Sequence, residues 1–232
     1  MQPDNLERLY ELLAKLENGL GGRVPLGNGP GGIRWAERGV YFIFEPGECR
    51  GANPDNLRVV RVGTHGLKRG SESTLQGRLR AHAGQANGGG NHRGSVFRLH
   101  TGATLLDREG RAHDLPEWGA GHSAPREVRM AERGWERRVS EYLRTMSLPW
   151  VAVPDEPGPD SERGLSERNS IALLSSVGRS VDPPSAGWLG HRSRAQAIRD
   201  SGLWNVNHVG YDYDPEFLEV LADHVRTMLR VP

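Results

Sequence analysis

Several features are scarce in this sequence, and each absence excludes a class of protein. The single cysteine, Cys49, excludes an intrachain disulfide and any multi-cysteine zinc site. No apolar run approaches the roughly 20 residues that a membrane-spanning helix needs. The N-terminus is acidic and polar rather than basic and then apolar, so no secretory signal peptide is expected. These absences predict that the protein works in the reducing environment of the cytoplasm and has no membrane partner.

Lysine is scarce as well, since only Lys15 and Lys68 are present and arginine carries nearly all the positive charge. The formal net charge is only +1, so the overall field indicates no particular partner. The charge is unevenly distributed, however, because residues 50–98 hold nine Arg or Lys and two acids. Four of the nine histidines lie in or next to this stretch: His65, His82, His92 and His100. A local basic field of this kind suits a phosphate backbone.

The hydrophobic pattern predicts an α+β fold with a small antiparallel β-sheet flanked by helices. Strands are predicted at 39–45 and 57–63, paired so that Tyr41 lies near the middle of the sheet. Capping patterns predict helices that begin near Asp4, Ser73, Ser166, Ser193 and Asp214. The chain is expected to comprise an N-terminal helix and glycine-rich loop (1–37), a core (38–180) and a helical C-terminal elaboration packed on it (181–232).

A few residues near the two strands indicate a phosphodiester-cleaving site. Gly39-Val40-Tyr41 opens the first strand, Arg61-Val62-Gly63 ends the second, and Arg78 and His82 follow on one face of the next helix. Phosphodiester hydrolysis needs an activated water, a cation against the charge that builds on phosphorus, and commonly a divalent metal. Because Mg²⁺ is often held by only one or two carboxylates, few protein groups are sufficient.

These segments resemble the GIY-YIG nuclease superfamily over roughly residues 38–174. Tyr41 matches the first signature tyrosine, and Arg78 matches the arginine on the helix that follows the sheet. His82 matches a histidine of some restriction endonucleases of that superfamily. Glu167, expected to open a helix, is the best match for the metal-binding glutamate. The resemblance implies a Mg²⁺- or Mn²⁺-dependent DNA endonuclease of restriction or defence type. It implies that water attacks phosphorus directly and that the products are a 5′-phosphate and a 3′-hydroxyl. A homodimer is a possible assembly of such an enzyme.

One departure from the family pattern is important, because Arg61 replaces the second signature tyrosine. Strand alternation predicts that Arg61, Gly63 and His65 share one face. The hypothesis is that Tyr41 or His65 activates the water, that Arg61 contacts phosphate, and that His82 hydrogen-bonds Tyr41 or the water. It requires Tyr41, Arg78 and Glu167 to converge on a space for a phosphate and its cation, with the phenol not covered by packed side chains.

Further basic and polar residues are candidates for nucleic-acid contact. Asn91, His92 and Arg93 follow three glycines, which allow close backbone approach to a groove or phosphate. Lys68, Arg69, Arg80, Arg192 and Arg194 are the other candidates. Trp188 and Trp204 are expected in the core rather than as base-stacking platforms.

Three alternatives remain open. If the second signature tyrosine is indispensable, the chain is a catalytically inactive nucleic-acid-binding module. Asn91-His92 could belong to a ββα-metal nuclease, although no second ligand at helical spacing is evident. The long charged helix predicted at 126–146 also leaves room for a structural or partner-binding role, without a sustained heptad.

Overall fold

The computed structural model describes residues 2–27, 34–178 and 182–230. Residues 28–32 of the expected glycine-rich loop lie outside these ranges. The strands are β1 (Val24–Pro25), β2 (Gly39–Cys49), β3 (Leu57–Gly63), β4 (Ser147–Leu148) and β5 (Trp150–Ala152). The helices are α1 (Gln2–Leu20), α2 (Leu75–Ala83), α3 (Val96–Arg108), α4 (Arg126–Leu143), α5 (Glu162–Leu174), α6 (Gln196–Ser201) and α7 (Phe217–Arg230). Short 3₁₀ turns lie at His92–Gly94, Ala112–Asp114 and Leu189–Arg192.

The strands form one antiparallel sheet in the order β1-β4-β2-β3, with β5 also paired to β2. The predicted α+β class with a small antiparallel sheet is therefore confirmed. Alternating residues of β2 face two layers of helices. Val40, Phe42 and Phe44 pack against α1, α5 and α7, whereas Tyr41 and Ile43 pack on the side of α2, α3 and α4. Burial of one such large apolar side chain stabilises the fold by about 1.5–3 kcal/mol.

A β-bulge in β3 changes which way its side chains point. Ile43 pairs with Arg61, but the next residue of β2, Phe44, pairs with Val59, so Val60 is the extra residue. Such a bulge locally re-aims the side chains of its strand. Val60 belongs to the core on the α2–α4 side, and Arg61 lies over the ring of Phe97 on that same side.

The C-terminal segment covers the free edge of β3. The backbone N–H of Trp204 donates to the carbonyl of Val60, and the side-chain amide of Asn205 both donates to and accepts from the backbone of Val62. Trp188 and Trp204 are buried, so their predicted place in the core is confirmed. The edge of the sheet is thus paired by a segment that is not itself a strand.

Several helix starts differ from the sequence prediction. Helix α1 already includes Gln2, so Asp4 lies inside it, and the N-cap of α6 is Ala195, without a side-chain hydrogen bond, rather than Ser193. Thr74, not Ser73, accepts the capping hydrogen bond of α2 from Gly77. Helix α5 begins at Glu162 with Ser161 as its cap, because Ser161 accepts from the N–H of Gly164. The expected cap Ser166 is instead a buried residue inside that helix. Among the described residues, no helix is long and apolar enough to cross a membrane.

Candidate active site

Tyr41 anchors a chain of buried polar contacts behind the end of β3. Its hydroxyl lies 2.7 Å from Nε2 of His82, and Nδ1 of the same ring lies 2.7 Å from Oγ of Ser95. Ser95 caps α3 by accepting from the N–H of Arg98. Burial holds the pKa of His82 well below its ordinary value, and nearby guanidinium groups lower it further. The ring is therefore neutral at pH 7 and links β2, α2 and α3.

Both signature segments need glycine, because other atoms lie too close to Gly39 and Gly63 to leave room for a side chain. A Cβ at Gly39 would overlap with the carbonyl oxygen of Val151 in β5. A Cβ at Gly63 would overlap with the hydroxyl of Tyr41, its partner across the β2–β3 pair. Larger residues at these positions would force the strands or the phenol to move.

Arg61 stands where the second signature tyrosine is expected and occupies the centre of the site. Its Nη1 donates to the carbonyl of Trp204 over 2.5 Å, and its guanidinium lies 4.9 Å from the centroid of the Phe97 ring. Burial lowers the pKa of Arg61. The field of Tyr41 raises this pKa, Arg78 lowers it and Glu167 raises it. These four residues therefore lie within each other's electrostatic reach.

Arg78 and Glu167 approach this centre from different helix layers. Arg78 on α2 is partly exposed, and its Nη1 lies 3.4 Å from the carbonyl oxygen of Gly94. Oε1 of Glu167 on α5 accepts from the backbone N–H of Thr64, 3.1 Å away, just past the end of β3. Burial raises the pKa of Glu167, whereas Arg61, the Thr64 N–H and Arg78 lower it.

The position of Glu167 in its helix differs from the sequence prediction. Because α5 begins at Glu162, Glu167 does not open the helix but lies more than a turn inside it. Interaction with the helix dipole, which is confined to the first turn, is therefore no explanation for this acid.

His65 contributes a free lone pair beside these groups. Its Nδ1 lies 2.9 Å from the carbonyl oxygen of Ser73, and since a carbonyl only accepts, we assign the proton to Nδ1. Its Nε2 is buried and has no hydrogen-bond partner among the described residues. Burial lowers the pKa of His65 to about 4, despite the bond to Ser73 and with help from nearby arginines. Nε2 is therefore an unprotonated acceptor at pH 7.

Several polar atoms around this group have no partner. Besides His65 Nε2, the Nε atoms of Arg61 and Arg78 are buried and make no hydrogen bond within the described parts of the chain. Of these two arginines, Arg78 lies within electrostatic reach of His65. Buried polar groups are normally satisfied, so these orphaned donors and this orphaned acceptor indicate a place for an anion or water. We refer to Tyr41, Arg61, His65, Arg78 and Glu167 as the β3-end site.

The hydroxyl of Tyr41 is not open to solvent, contrary to the sequence-based expectation. The whole residue has 0% relative exposure. The cover over the hydroxyl includes His82 and the backbone of Gly63, and Arg61 lies close by. Arg61 lies within electrostatic reach of Tyr41, Arg78 and Glu167, but the expectation that the phenol would be uncovered is wrong, because packed side chains and backbone bury it.

Glu167 can provide a single carboxylate ligand for a divalent cation, and the described residues contain no preformed cluster of ligands. Among residues 2–27, 34–178 and 182–230, no group of three or more His, Cys, Asp or Glu could hold a metal ion. Oε1 of Glu167 is used by Thr64, while no described residue hydrogen-bonds Oε2. One carboxylate oxygen, completed by waters and a substrate phosphate, is an ordinary binding mode for Mg²⁺.

The residues predicted to contact nucleic acid fall into two groups. Four are exposed cations without a hydrogen bond or ion pair to any described side chain: Lys68, Arg69, Arg80 and Arg192. The others are engaged within the chain. Arg93 forms a two-pronged ion pair with Glu132, and Arg194 forms one with Asp107.

The remaining two predicted contacts lie in the 3₁₀ turn before α3. The ring of His92 is buried, stacks on Trp118 with centroids 3.9 Å apart and binds Glu136 through Nδ1. Asn91 is exposed, but its Oδ1 caps the turn by accepting from the N–H of Arg93. The His92 ring therefore stabilises the turn, which explains this histidine without a metal.

Sequence reasoning missed several residues that shape the site. Thr64 holds Glu167, Ser95 holds His82, and the carbonyl of Trp204 holds Arg61. These contacts could not be predicted, because long-range hydrogen-bond partners leave no mark in a sequence pattern.

The comparisons with known proteins agree with this geometry. The family model described as GIY-YIG domain matches residues 1–231. This chain belongs to the GIY-YIG family. No curated protein and no solved structure matches the chain. As a GIY-YIG protein it carries an endonuclease-type domain, and the match includes α1 and α7 as well as the β3-end site.

Proposed function

We propose that this GIY-YIG protein is a Mg²⁺- or Mn²⁺-dependent DNA endonuclease of restriction or defence type. The observation that carries the proposal is the meeting of Arg61, Arg78 and Glu167 at the end of β3, beside the Tyr41–His82 pair. Two cations and one acid with a free oxygen provide a place for a phosphodiester and a metal ion. The spacing Arg78-x-x-x-His82 supports the restriction branch of the family.

Each residue has a chemical role in this proposal. Arg61 and Arg78 bind the non-bridging phosphate oxygens and stabilise the charge that develops on them, with their orphaned Nε groups available as donors. Oε2 of Glu167 would hold the metal. When bound, the metal supplies charge neutralisation on the phosphate and on the leaving oxygen.

His65 is the better of the two candidates to accept a proton from the attacking water. Both groups are buried, but the Nε2 lone pair of His65 has no hydrogen-bond partner among the described residues, whereas the Tyr41 hydroxyl is already hydrogen-bonded to His82. An anionic phosphate nearby raises the pKa of His65 from about 4 toward neutral pH, where a general base is most effective. Tyr41 then acts as a positioning residue that holds Arg61 and His82 in place.

The reaction balances with water as the only co-reactant. The water oxygen bonds to phosphorus as its proton passes to His65, and the bond from phosphorus to the 3′ oxygen breaks in line with the attack. The 3′ oxygen takes a proton from solvent. The products are a 5′-phosphate and a 3′-hydroxyl. One such site per chain cuts one strand, so a double-strand break needs two chains or two successive cuts.

DNA as the substrate is supported by the charge around the site. The exposed and unpaired Lys68, Arg69 and Arg80 lie on the segments that also carry His65 and Arg78. Exposed cations of this kind bind the phosphate backbone without reading its sequence. The single free cysteine is compatible with the cytoplasmic setting that we propose.

A second candidate function is a catalytically inactive nucleic-acid-binding module. It is favoured by Arg61 in the place of the second signature tyrosine and by the complete burial of Tyr41. Both candidates predict salt-dependent DNA binding, and only the first predicts cleavage.

The deciding experiment incubates the protein with plasmid, phage and base-modified DNA in Mg²⁺ or Mn²⁺, with EDTA controls. Cleavage that requires the metal and is lost in Glu167→Gln establishes the endonuclease. Binding without cleavage in every DNA and either metal establishes the inactive module.

A further inference from the structure

A cavity of about 730 Å³ lies behind the β3-end site, on the other side of α2. Leu26, Leu79, Ala83 and Leu148 supply apolar walls, and the ring of Trp35 lies at one side. Its volume falls in the range of about 300–1,000 Å³ typical of small-ligand pockets. None of the residues described above as parts of the β3-end site lines it.

Helix α2 presents one face to each of these places. At about 100° per residue, Arg78 and His82 share one face, whereas Gln76, Arg80 and Ala83 share another. The second group lines the cavity. Gly94 connects the two places, because it lines the cavity and its carbonyl is the partner of Arg78.

The chemistry of the lining suits an uncharged aromatic ring attached to an anion. None of the described lining residues is acidic, and Arg80 and Arg144 are the charged ones. Arg80 makes no hydrogen bond to a described residue, whereas Arg144 is held by the carbonyls of Ala83 and Gln85. The charge of the lining is therefore complementary to phosphate.

Trp35 and Gln76 supply the two interactions that a base requires. Trp35 is partly exposed and packs on Trp150 with ring centroids 4.4 Å apart, and its own Nε1 lacks a partner. Gln76 makes no side-chain hydrogen bond to any residue in the described ranges, so its amide is free to donate and accept. Aromatic rings stack on any base, and a free amide recognises base edges.

We propose that this cavity receives one nucleobase extruded from the DNA next to the phosphate bound by Arg78. The proposal rests on nucleic acid as the ligand, which both candidate functions share. The base would stack on Trp35 and meet the amide of Gln76, while its own phosphate meets Arg80. An extruded base exposes groups that are hidden in the duplex, so this pocket is where a base modification would be read.

The test titrates the four deoxynucleoside 5′-monophosphates into the full-length protein, with 2-deoxyribose 5-phosphate as the control that lacks a base. Binding is followed by calorimetry and by tryptophan fluorescence. At least one monophosphate is expected to bind at least tenfold more tightly than the sugar phosphate. Trp35→Leu should weaken that binding about tenfold, because the stacking contribution is lost. Ala81→Trp, which fills the cavity from its wall, should abolish it.

Matched controls separate the pocket from general effects. Tyr211→Leu removes an exposed aromatic ring outside the cavity and should leave the affinity unchanged. Gln76→Leu, at a partly exposed position of the cavity wall, should change the preference among the four bases. This variant tests the pocket if Trp35→Leu does not fold. Equal affinity for sugar phosphate and monophosphates, or full affinity in folded Ala81→Trp, would overturn the proposal. Because no cleavage is measured, a failed nuclease assay and a failed pocket are distinguishable.

Discussion

Gly63 lies directly opposite Tyr41 in the β2–β3 pair, and the tyrosine hydroxyl fills the space in which a side chain at position 63 would begin. The signature glycine is therefore a packing requirement of the signature tyrosine. Because the phenol of Tyr41 is fixed in this way, it holds His82 and Arg61 in defined positions. The contact with His82 also fixes the position of α2 relative to the end of β3.

Gly63→Ala is expected to destabilise the fold by about 1–3 kcal/mol, because the added methyl group must displace the phenol or the strand. Cleavage should fall with it, since the Tyr41–His82 contact is disturbed. Thermal unfolding and plasmid cleavage check the two effects. Gly134→Ala is the matched control, because Gly134 lies inside α4 with open space where its Cβ would be. That change should stabilise the protein by about 0.5–1 kcal/mol, and equal effects of the two substitutions would contradict the packing argument.

Glu167→Gln is expected to abolish metal-dependent cleavage while DNA binding persists. The substitution keeps an oxygen for the N–H of Thr64 but removes the charge that holds the cation. Cleavage is measured against Mg²⁺ and Mn²⁺ concentration, and DNA binding in EDTA. Glu162→Gln, at the exposed start of the same helix, is the control and should cleave at the normal rate. Unchanged cleavage by Glu167→Gln would remove the acid from the proposed mechanism.

Arg61→Gln is expected to lower the single-turnover cleavage rate about 10²-fold or more, the usual cost of losing one group that stabilises a developing charge. Because Gln retains a donor for the carbonyl of Trp204, the fold should survive. Arg226→Gln on the exposed side of α7 is the control. If the rate is unchanged, Arg61 is only a structural replacement for the family tyrosine and contributes nothing to the chemistry.

The sequence was sufficient for the sheet and for several residues of the site, for physical reasons. The β-branched and aromatic residues at 40–44 and 57–62 favour a buried pair of strands. The spacing of four residues between Arg78 and His82 places both side chains on one helix face. Helix starts were less certain, because Ser161 and Ser166 both offer a capping hydroxyl, and contacts such as that of Ser161 with Asp155 are not visible in the sequence.

Features that depend on distant partners could not be predicted. The bulge at Val60 places Val60 on the same side of the sheet as Arg61, but a bulge has no marker in these residues. The burial of Tyr41 depends on His82 and Gly63, which are far apart in the sequence. Likewise, the sequence predicts His92 as a nucleic-acid contact because its partner Glu136 is 44 residues away. The structure shows instead that His92 is hydrogen-bonded to this glutamate.

Removal of a free surface cation is expected to weaken DNA binding uniformly across sequences. Lys68→Ala should reduce the slope of log affinity against log salt concentration by about 1, since one fewer counterion is released. Arg194→Ala should have a smaller effect, because Asp107 already neutralises that guanidinium. Binding is measured by fluorescence anisotropy at several salt concentrations. Equal slope changes in the two variants would show that the pairing of Arg194 does not persist on DNA.

The stability of the fold is expected to decrease on acidification between about pH 6.5 and 4, partly because of His65. The pKa of His65 is about 4 in the folded protein, against about 6.5 in an unfolded chain. Within this window the unfolded chain binds more protons, so the free energy of unfolding rises with pH and is lost as the pH falls. Below about pH 4 both states are protonated and the contribution is constant.

His65→Gln isolates this effect, because the amide still donates to the carbonyl of Ser73 but does not titrate. The variant should lose less stability than the natural protein between pH 7 and pH 5, measured by urea unfolding at both pH values. His113→Gln, at a side chain that is 81% exposed, should behave as the natural protein does. If His65→Gln shows an unaltered pH dependence, the ring of His65 is not held neutral by burial, and Nε2 loses its role as the resting proton acceptor.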